Sequence, residues 1–258
     1  MSTNKITKID HRTIHFLPFL PARNRSLGYK LERKWGKEKI IITAIETLNT
    51  YDLITFLLVL KEYTNSAYTT GKIKDKEFAE IVIDVKKILK ERGIINKKIN
   101  RETLFKSLKR LRSIELEIIT ETSRVVTSYF YEIEADNELN TVKILANKKY
   151  IDQLIQKGII INFNRILSYN KKEQYTILLD LYLQGTKNTK KSNGFSYRNF
   201  YKNDEIETAL KLDLIDLPRF KKRQIIKKSF ENLFKNANIK YIYNKDEDIW
   251  VKTSAASA

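Results

Sequence analysis

One local pattern occurs twice in this chain: an amphipathic helix is followed directly by segments in which apolar and polar residues alternate. The first copy joins a predicted helix over Arg101 to Leu111 to an alternation that begins at Ile114. The second joins a helix from Pro218 to about Asn236 to a hairpin over 239–252. A last helix that runs into an antiparallel hairpin is typical of a winged helix, whose last helix enters a DNA groove.

The elements around the first copy complete that order. In chain order, we predict a strand over 39–43, a helix from Thr50, a polar turn over 65–71, a helix over 78–92 that ends at Gly93, a helix over 101–111 capped by Asn100, strands over 114–119, 127–134 and 141–145, and a closing helix over 147–156. Three helices therefore lead into strands.

A second pass through the same order follows an apolar stretch over 158–164, which is either a buried strand or a connector. The predicted elements are a helix over 171–184, a polar loop over 185–194, an extended piece over 195–200, a helix over 204–212, and the helix and hairpin of the second copy. We predict an α+β fold of tandem winged-helix domains, mainly helical with small antiparallel sheets. Its domains are a basic N-terminal arm over 1–38, winged helices over 39–157 and 158–252, and a flexible tail over 253–258.

The arm has two interpretations. Residues 1 to 39 hold ten basic and three acidic side chains, and the sequence from Leu17 to Arg25 is typical of an extended segment that reaches DNA or a partner. The alternative is an N-terminal strap that packs through Phe16, Leu17, Phe19 and Leu20.

The charge balance favours a polyanionic partner. Lys and Arg number 49 against 31 Asp and Glu, a formal charge of +18, so nucleic acid is the leading partner class.

Cysteine is absent, which excludes disulfides, thiolate metal sites and thiol nucleophiles. The longest strongly apolar run, Leu53 to Leu60, is too short to span a membrane, and no apolar segment follows the polar start. We expect a cytoplasmic protein associated with nucleoid or plasmid.

The late helix has a predicted core side and a predicted DNA side. Helical periodicity places Phe220, Ile226, Phe230, Leu233, Phe234 and Ala237 toward the core. The opposite stripe is Lys221, Gln224, Ile225, Lys228, Asn232 and Lys235, with Arg219, Lys222, Arg223 and Lys227 around the same turns. Cations neutralise phosphates and an amide pairs with an adenine edge, so we predict DNA contact here, with a solvated face as the alternative.

The helix of the first copy carries more charge and fewer amides. We predict that Lys106, Lys109, Arg110 and Arg112 face outward to contact phosphates, or form a solvated face. In the second hairpin, the turn over 244–248 holds one Lys and three acids, so Lys240 and Lys252 are better phosphate ligands than the turn itself.

Enzyme signatures are weak. Gly71-Lys72 lacks the other residues of a phosphate loop, and His11 and His15 lack a zinc motif around them. Two clusters of acidic residues could hold Mg²⁺, but their period-two spacing is also that of the exposed face of a strand. They are Glu132, Glu134 and Asp136 in one cluster, and Glu115 and Glu117 in the other. We identify no catalytic constellation and expect no cofactor and no metal.

The arrangement resembles the theta-type plasmid replication initiators, Rep proteins built from two winged helices that bind iterons. The resemblance spans residues 39 to 252 and lies in three segments: 48–53 at the first helix, 103–118 where the third helix meets its strand, and 220–222 at the late helix. It implies binding to direct repeats at an origin, opening of A·T-rich DNA, recruitment of host initiator and helicase, and main contacts through Lys221, Gln224, Ile225 and Lys228. It also implies dimerisation through the first winged helix, with dimers as autorepressors.

Three other functions fit the same residues. A transcriptional repressor would bind an operator palindrome, a metal-dependent DNA-nicking enzyme would use the carboxylates, and a winged-helix interaction module would bind proteins. The expected steep salt dependence of duplex binding distinguishes DNA binding from the last of these.

Overall fold

The chain folds into two compact units, one mainly over residues 16–157 and the other over residues 158–258. The computed structural model describes residues 7–9, 19–21, 27–35, 37–65, 68–73, 76–155, 159–170, 172–186, 188–190 and 194–253. No helix within these ranges is both long and apolar enough to cross a membrane.

Unit 1 is built from helices and two four-stranded antiparallel sheets, with strand orders β2-β3-β6-β7 and β4-β5-β9-β8. A short strand, β1 (Thr7–Ile9), precedes its elements along the chain. Those elements are β2 (Leu27–Trp35), β3 (Glu38–Glu46), α1 (Thr50–Asn65), β4 (Thr69–Ile73), β5 (Lys76–Asp84), α2 (Val85–Glu91), α3 (Lys98–Arg112), β6 (Glu115–Ile119), β7 (Arg124–Thr127), β8 (Phe130–Ala135), β9 (Thr141–Asn147) and α4 (Lys148–Ile155).

The centre of unit 1 is α1, which is apolar on nearly all sides. Leu53, Phe56, Leu57 and Leu60 are fully buried, because a helix covered by sheets and a second helix has little surface left for solvent. At its start, the side-chain oxygen of Asn49 accepts hydrogen bonds from the backbone amides of the first turn.

The prediction of a helix over 78–92 is wrong in its first half. Residues 76–84 form β5, and the helix α2 begins only at Val85. Ala79, Ile81 and Ile83 are buried at every second position against β9, and β-branched residues at that spacing favour a strand. The predicted turn over 65–71 is also too long, because β4 begins at Thr69.

The predicted strand over 127–134 is two strands in two sheets. β7 pairs with β6, whereas β8 pairs with β9. Tyr129 and Phe130 are consecutive and both buried, which one flat strand with alternating faces does not permit. The amide of Asn147 donates to the Thr127 hydroxyl and the Ser128 carbonyl, which holds the chain at this break.

Part of the predicted arm belongs to a sheet. Residues 27–35 form β2, which pairs with β3 over nearly its whole length. Of the earlier segment from Leu17 to Arg25, only residues 19–21 are described. Phe19 there is buried and its ring centroid lies 6.0 Å from that of Phe56, which agrees with the strap interpretation at this residue.

Unit 2 contains a three-stranded sheet of order β13-β15-β14 and a two-stranded ribbon of β11 and β12. Its elements are β10 (Ile159–Ile161), α5 (Phe163–Ser168), α6 (Gln174–Gly185), β11 (Asn188–Lys190), β12 (Gly194–Ser196), β13 (Phe200–Lys202), α7 (Asn203–Ala209), a 3-10 turn (Leu212–Leu214), α8 (Arg219–Ala237), β14 (Lys240–Asn244) and β15 (Ile249–Thr253).

Aromatic packing fixes α8 against the sheet of unit 2. The rings of Phe230 and Trp250 stack with centroids 4.6 Å apart, and Tyr241 lies 5.1 Å from Phe230. The indole N–H of Trp250 donates to Asn203 Oδ1 at 3.1 Å, so the buried donor is satisfied. This packing turns the opposite side of α8 toward solvent.

The two units share one build. In each, the order is a buried helix, a strand hairpin, a short helix, a long helix and a second hairpin. Unit 1 continues with β8, β9 and α4, and unit 2 has β13 before its short helix. The buried positions of the long helices have the same spacing: Leu104, Ser107, Leu108 and Leu111 in α3, and Ile226, Ser229, Phe230 and Leu233 in α8. The predicted α+β fold of tandem winged helices is confirmed.

Candidate nucleic-acid interface

The outer side of α8 carries a cationic face that we name the α8 face: Lys221, Gln224, Lys227, Lys228 and Lys235. All five side chains are exposed, and none of them forms an ion pair with another residue in the described part of the chain. The helix begins after Pro218, whose missing amide hydrogen costs nothing at a helix start, and ends where Asn238 adopts a left-handed backbone at φ 53°.

Three of the α8 residues predicted to contact DNA are less exposed than predicted. Lys222 and Ile225 are half-buried on the flanks of α8. Asn232 is also half-buried, and its amide donates to Thr176 Oγ1 of α6 at 3.4 Å. Asn232 therefore helps to hold α8 on α6, because it faces that neighbouring helix.

Two arginines at the start of α8 are held by the hairpin. Arg219 Nη2 lies 2.7 Å from Asp248 Oδ2, and Arg223 Nη2 lies 3.7 Å from Asp248 Oδ1. Tyr243 donates its hydroxyl proton to the same carboxylate, and its ring lies 5.3 Å from the Arg223 guanidinium. Burial and this hydrogen bond raise the pKa of Tyr243. Asp248 thus neutralises the flank of the helix and leaves the α8 face cationic.

Two aromatic residues predicted to lie in the core are exposed. Phe220 is 58% exposed and Phe234 is 38% exposed, whereas Ile226, Phe230 and Leu233 are buried as predicted. The cause lies in the helical spacing, since the buried positions Ile226, Phe230 and Leu233 share one side of α8 and the two rings lie at the edge of that side.

The hairpin strands place two further lysines on the surface. Lys240 and Lys252 are both exposed, and they lie 5.8 Å from the ring centroids of Phe234 and Tyr197 respectively. Lys240 thus lies beside the end of α8, and the exposure of both lysines is compatible with the phosphate contacts predicted for them.

In unit 1, α3 presents Lys106, Lys109 and Arg112 to solvent. The prediction that Arg110 also faces outward is wrong: this side chain is buried and forms an ion pair with Asp52 of α1 at 2.6 Å. The flank of α3 that carries it is covered by α1, where the buried carboxylate requires a cation. The exposed Nε of Arg112 donates to the Tyr131 carbonyl at 3.2 Å.

The start of α3 also differs from the prediction. The helix begins at Lys98 rather than at Arg101, and Asn100 lies within it, donating to the Ile95 carbonyl. Its first turn exposes Ile99, which the predicted helix did not include because it began three residues later, at Arg101.

The carboxylates considered for a metal have other partners or lie apart. Glu117 pairs with Arg124, Glu134 lies 3.6 Å from Lys143, and Asp136 accepts three backbone N–H groups in its own turn. Those hydrogen bonds lower the pKa of Asp136. Among the described residues, no group of three or more His, Asp or Glu side chains is placed to hold a metal.

Of the two remaining enzyme motifs, the structure describes Gly71-Lys72 but not the histidine pair. Gly71 lies in β4 opposite Phe78, where an added Cβ would approach the Phe78 ring to 2.5 Å. That glycine is thus explained by the aromatic ring packed on it. His11 and His15 lie outside the described residues.

The fold is similar to that of solved domains of RctB. A crystal structure of domain 2 and domain 3 of RctB aligns with a TM-score of 0.55 at 10% identity, covering 90% of this chain and 89% of that one. A second crystal structure of RctB domains 2-3 aligns with a TM-score of 0.47 at 11% identity, covering 92% and 95%. No family model matches the sequence, and no curated protein does either.

Proposed function

We propose that this protein is a sequence-specific duplex-DNA-binding replication initiator of the theta type, which binds repeated iteron sequences at a plasmid origin. The observation that carries the proposal is the α8 face, where four lysines and one glutamine are exposed together on a helix held rigidly by its own sheet. Cations at this density neutralise phosphates, and Gln224 is placed among them to pair with an adenine edge.

The proposal assigns different roles to the two units. Unit 2 makes the main major-groove contacts, with Gln224 on a base edge and Lys221 and Lys228 on the phosphates beside it. Unit 1 adds phosphate contacts through Lys106 and Lys109 of α3, whose outer side holds no exposed amide among its described residues. Because the two units are linked, binding of one unit raises the effective concentration of the other at the same duplex, which increases the affinity for DNA. Each direct repeat would bind one copy of the protein.

Three further roles follow from the resemblance to Rep proteins. We propose that bound copies promote opening of neighbouring A·T-rich DNA and recruit the host initiator and helicase. Homodimerisation through unit 1 would convert the protein into a repressor of its own promoter. The basic arm before β2, a feature apart from that resemblance, would add DNA or partner contacts. The net charge of +18 supports the DNA contacts of all these roles.

Footprinting on the DNA that flanks the gene tests the proposal. We expect several protected direct repeats whose centres lie about one or two helical turns apart, ~10 to 21 base pairs. One protected palindrome would identify a transcriptional repressor instead. Mg²⁺-dependent relaxation of a supercoiled plasmid carrying the same DNA would identify a nicking enzyme, and binding that does not change with salt would point to a protein-interaction module.

A further inference from the structure

The first turn of α8 presents an aromatic ring to solvent in the middle of a cationic surface. Phe220 is 58% exposed, and helical geometry places it about 40° around the axis from Gln224, one turn away. Lys221 and Lys227 lie on either side of it on the same exposed half of the helix.

The described part of unit 2 gives this ring no place in the core. The core contacts of α8 are made by Ile226, Phe230 and Leu233, and Phe220 forms no ring contact with another aromatic residue in the described ranges. Single exposed apolar residues are common on protein surfaces. This one differs in position, because the surrounding lysines would draw a phosphate backbone against it and the first residues of such a helix reach base edges.

We propose that Phe220 is a specificity residue that reads thymine, with its ring against the C5-methyl group in the major groove. This inference rests on the proposed function and adds the class of base pair that the protein selects. A methyl group is the one apolar feature of the major groove, and an aromatic side chain is a suitable contact for it. With Gln224 on adenine one turn later, the two residues select A·T pairs at neighbouring positions.

The equivalent helix of unit 1 also exposes one apolar and one cationic side chain in its first turn. There Ile99 is 62% exposed and lies next to the exposed Lys98, as Phe220 lies next to Lys221. One exposed apolar and one exposed cationic side chain thus occur in the first turn of both long helices, which supports a role for both first turns in DNA contact.

The test replaces thymine by deoxyuridine, which removes only the methyl group. A binding site is first selected from a random duplex pool with the full chain, and each thymine is then replaced singly. We expect one or two replacements to weaken wild-type binding roughly three- to ten-fold. Phe220→Ala should bind the unmodified site more weakly by a similar factor and should not distinguish thymine from deoxyuridine at those positions.

Two variants control the test. Phe220→Leu keeps an apolar contact and should retain part of the methyl dependence. Phe234→Ala removes an exposed ring from the other end of the same helix and should keep the full wild-type dependence. Because Phe220 lies outside the core, thermal unfolding of Phe220→Ala should match that of the wild type.

The outcomes separate this inference from the function on which it rests. If a site is selected but no deoxyuridine replacement weakens wild-type binding, or if Phe220→Ala keeps the full methyl dependence, the thymine assignment is wrong and the proposed function stands. If selection yields no preferred sequence, both are wrong.

Discussion

Arg110 Nη2 in α3 donates to Asp52 Oδ1 in α1 at 2.6 Å, and both side chains are buried. The hydroxyl of Ser107 donates to the same oxygen at 2.6 Å, and the backbone N–H of Asn49 donates to Oδ2 at 3.0 Å. The carboxylate is thus fully hydrogen-bonded inside unit 1, where it joins the two helices and sets the orientation of α3.

Arg110→Ala is predicted to destabilise the protein rather than to act mainly on DNA binding. Removing one partner of a buried ion pair leaves an unpaired charge, and we expect the free energy of unfolding to fall by about 3 to 5 kcal/mol. Urea denaturation measures this. The control Arg124→Ala breaks the pair with Glu117 at the surface, and its unfolding midpoint should stay close to the wild-type value. Equal losses in the two variants would contradict the role given to Asp52.

Asp248→Asn is predicted to strengthen binding to random duplex DNA. The change releases Arg219 and Arg223 from their carboxylate partner, so cations that now neutralise the hairpin turn become available to phosphates. Binding measured over a salt series should become steeper. Asp246→Asn alters the charge by the same amount in the same turn, but no arginine pairs with Asp246 among the described residues. A gain as large for Asp246→Asn would show that net charge alone is responsible.

Gln224→Ala and Lys228→Ala are predicted to weaken DNA binding with different dependence on the DNA sequence. Loss of the amide should cost about 1 to 3 kcal/mol on the selected site and little on random DNA, because only the former presents the matching base edge. Loss of the ammonium should weaken binding to both. Competition assays with the two DNAs give the comparison, and equal losses on both DNAs for Gln224→Ala would remove its role as a base reader.

Lys106→Ala combined with Lys109→Ala should weaken binding less than Lys221→Ala combined with Lys228→Ala on the selected site. Each pair removes two exposed charges, but the outer side of α3 offers no exposed amide beside its lysines. Affinity titrations of both double variants at one salt concentration test this ranking. The reverse order would assign the main DNA contacts to unit 1.

The helices and the second hairpin of the fold could be predicted from the sequence. The segment from Pro218 to Asn236 contains a helix start, apolar residues at helical spacing and no breaker, and α8 differs from the prediction by only a residue at each end. The alternation over 239–252 likewise matches β14 and β15. Local signals are sufficient where spacing, capping and turn residues agree.

The errors arose where distant residues decide the structure. Residues 78–84 are apolar enough for a helix face, and only their pairing with β9 makes them a strand. Arg110 has the spacing of an outer residue, yet the carboxylate that buries it lies 58 positions earlier in the chain. Phe220 is apolar but lies at the edge of the buried side of α8, and helical spacing alone does not show how wide that buried side is.

The salt dependence of duplex binding, measured for Lys221→Ala combined with Lys228→Ala, tests the central claim most directly. The logarithm of the wild-type association constant should fall linearly with the logarithm of salt concentration, and the double variant should reduce that slope by about 1.8, since each phosphate contact contributes about 0.9. Lys30→Ala combined with Lys34→Ala removes two exposed charges from β2 and should leave the slope unchanged. A double variant of α8 with the wild-type slope would contradict the assignment of the α8 face to DNA.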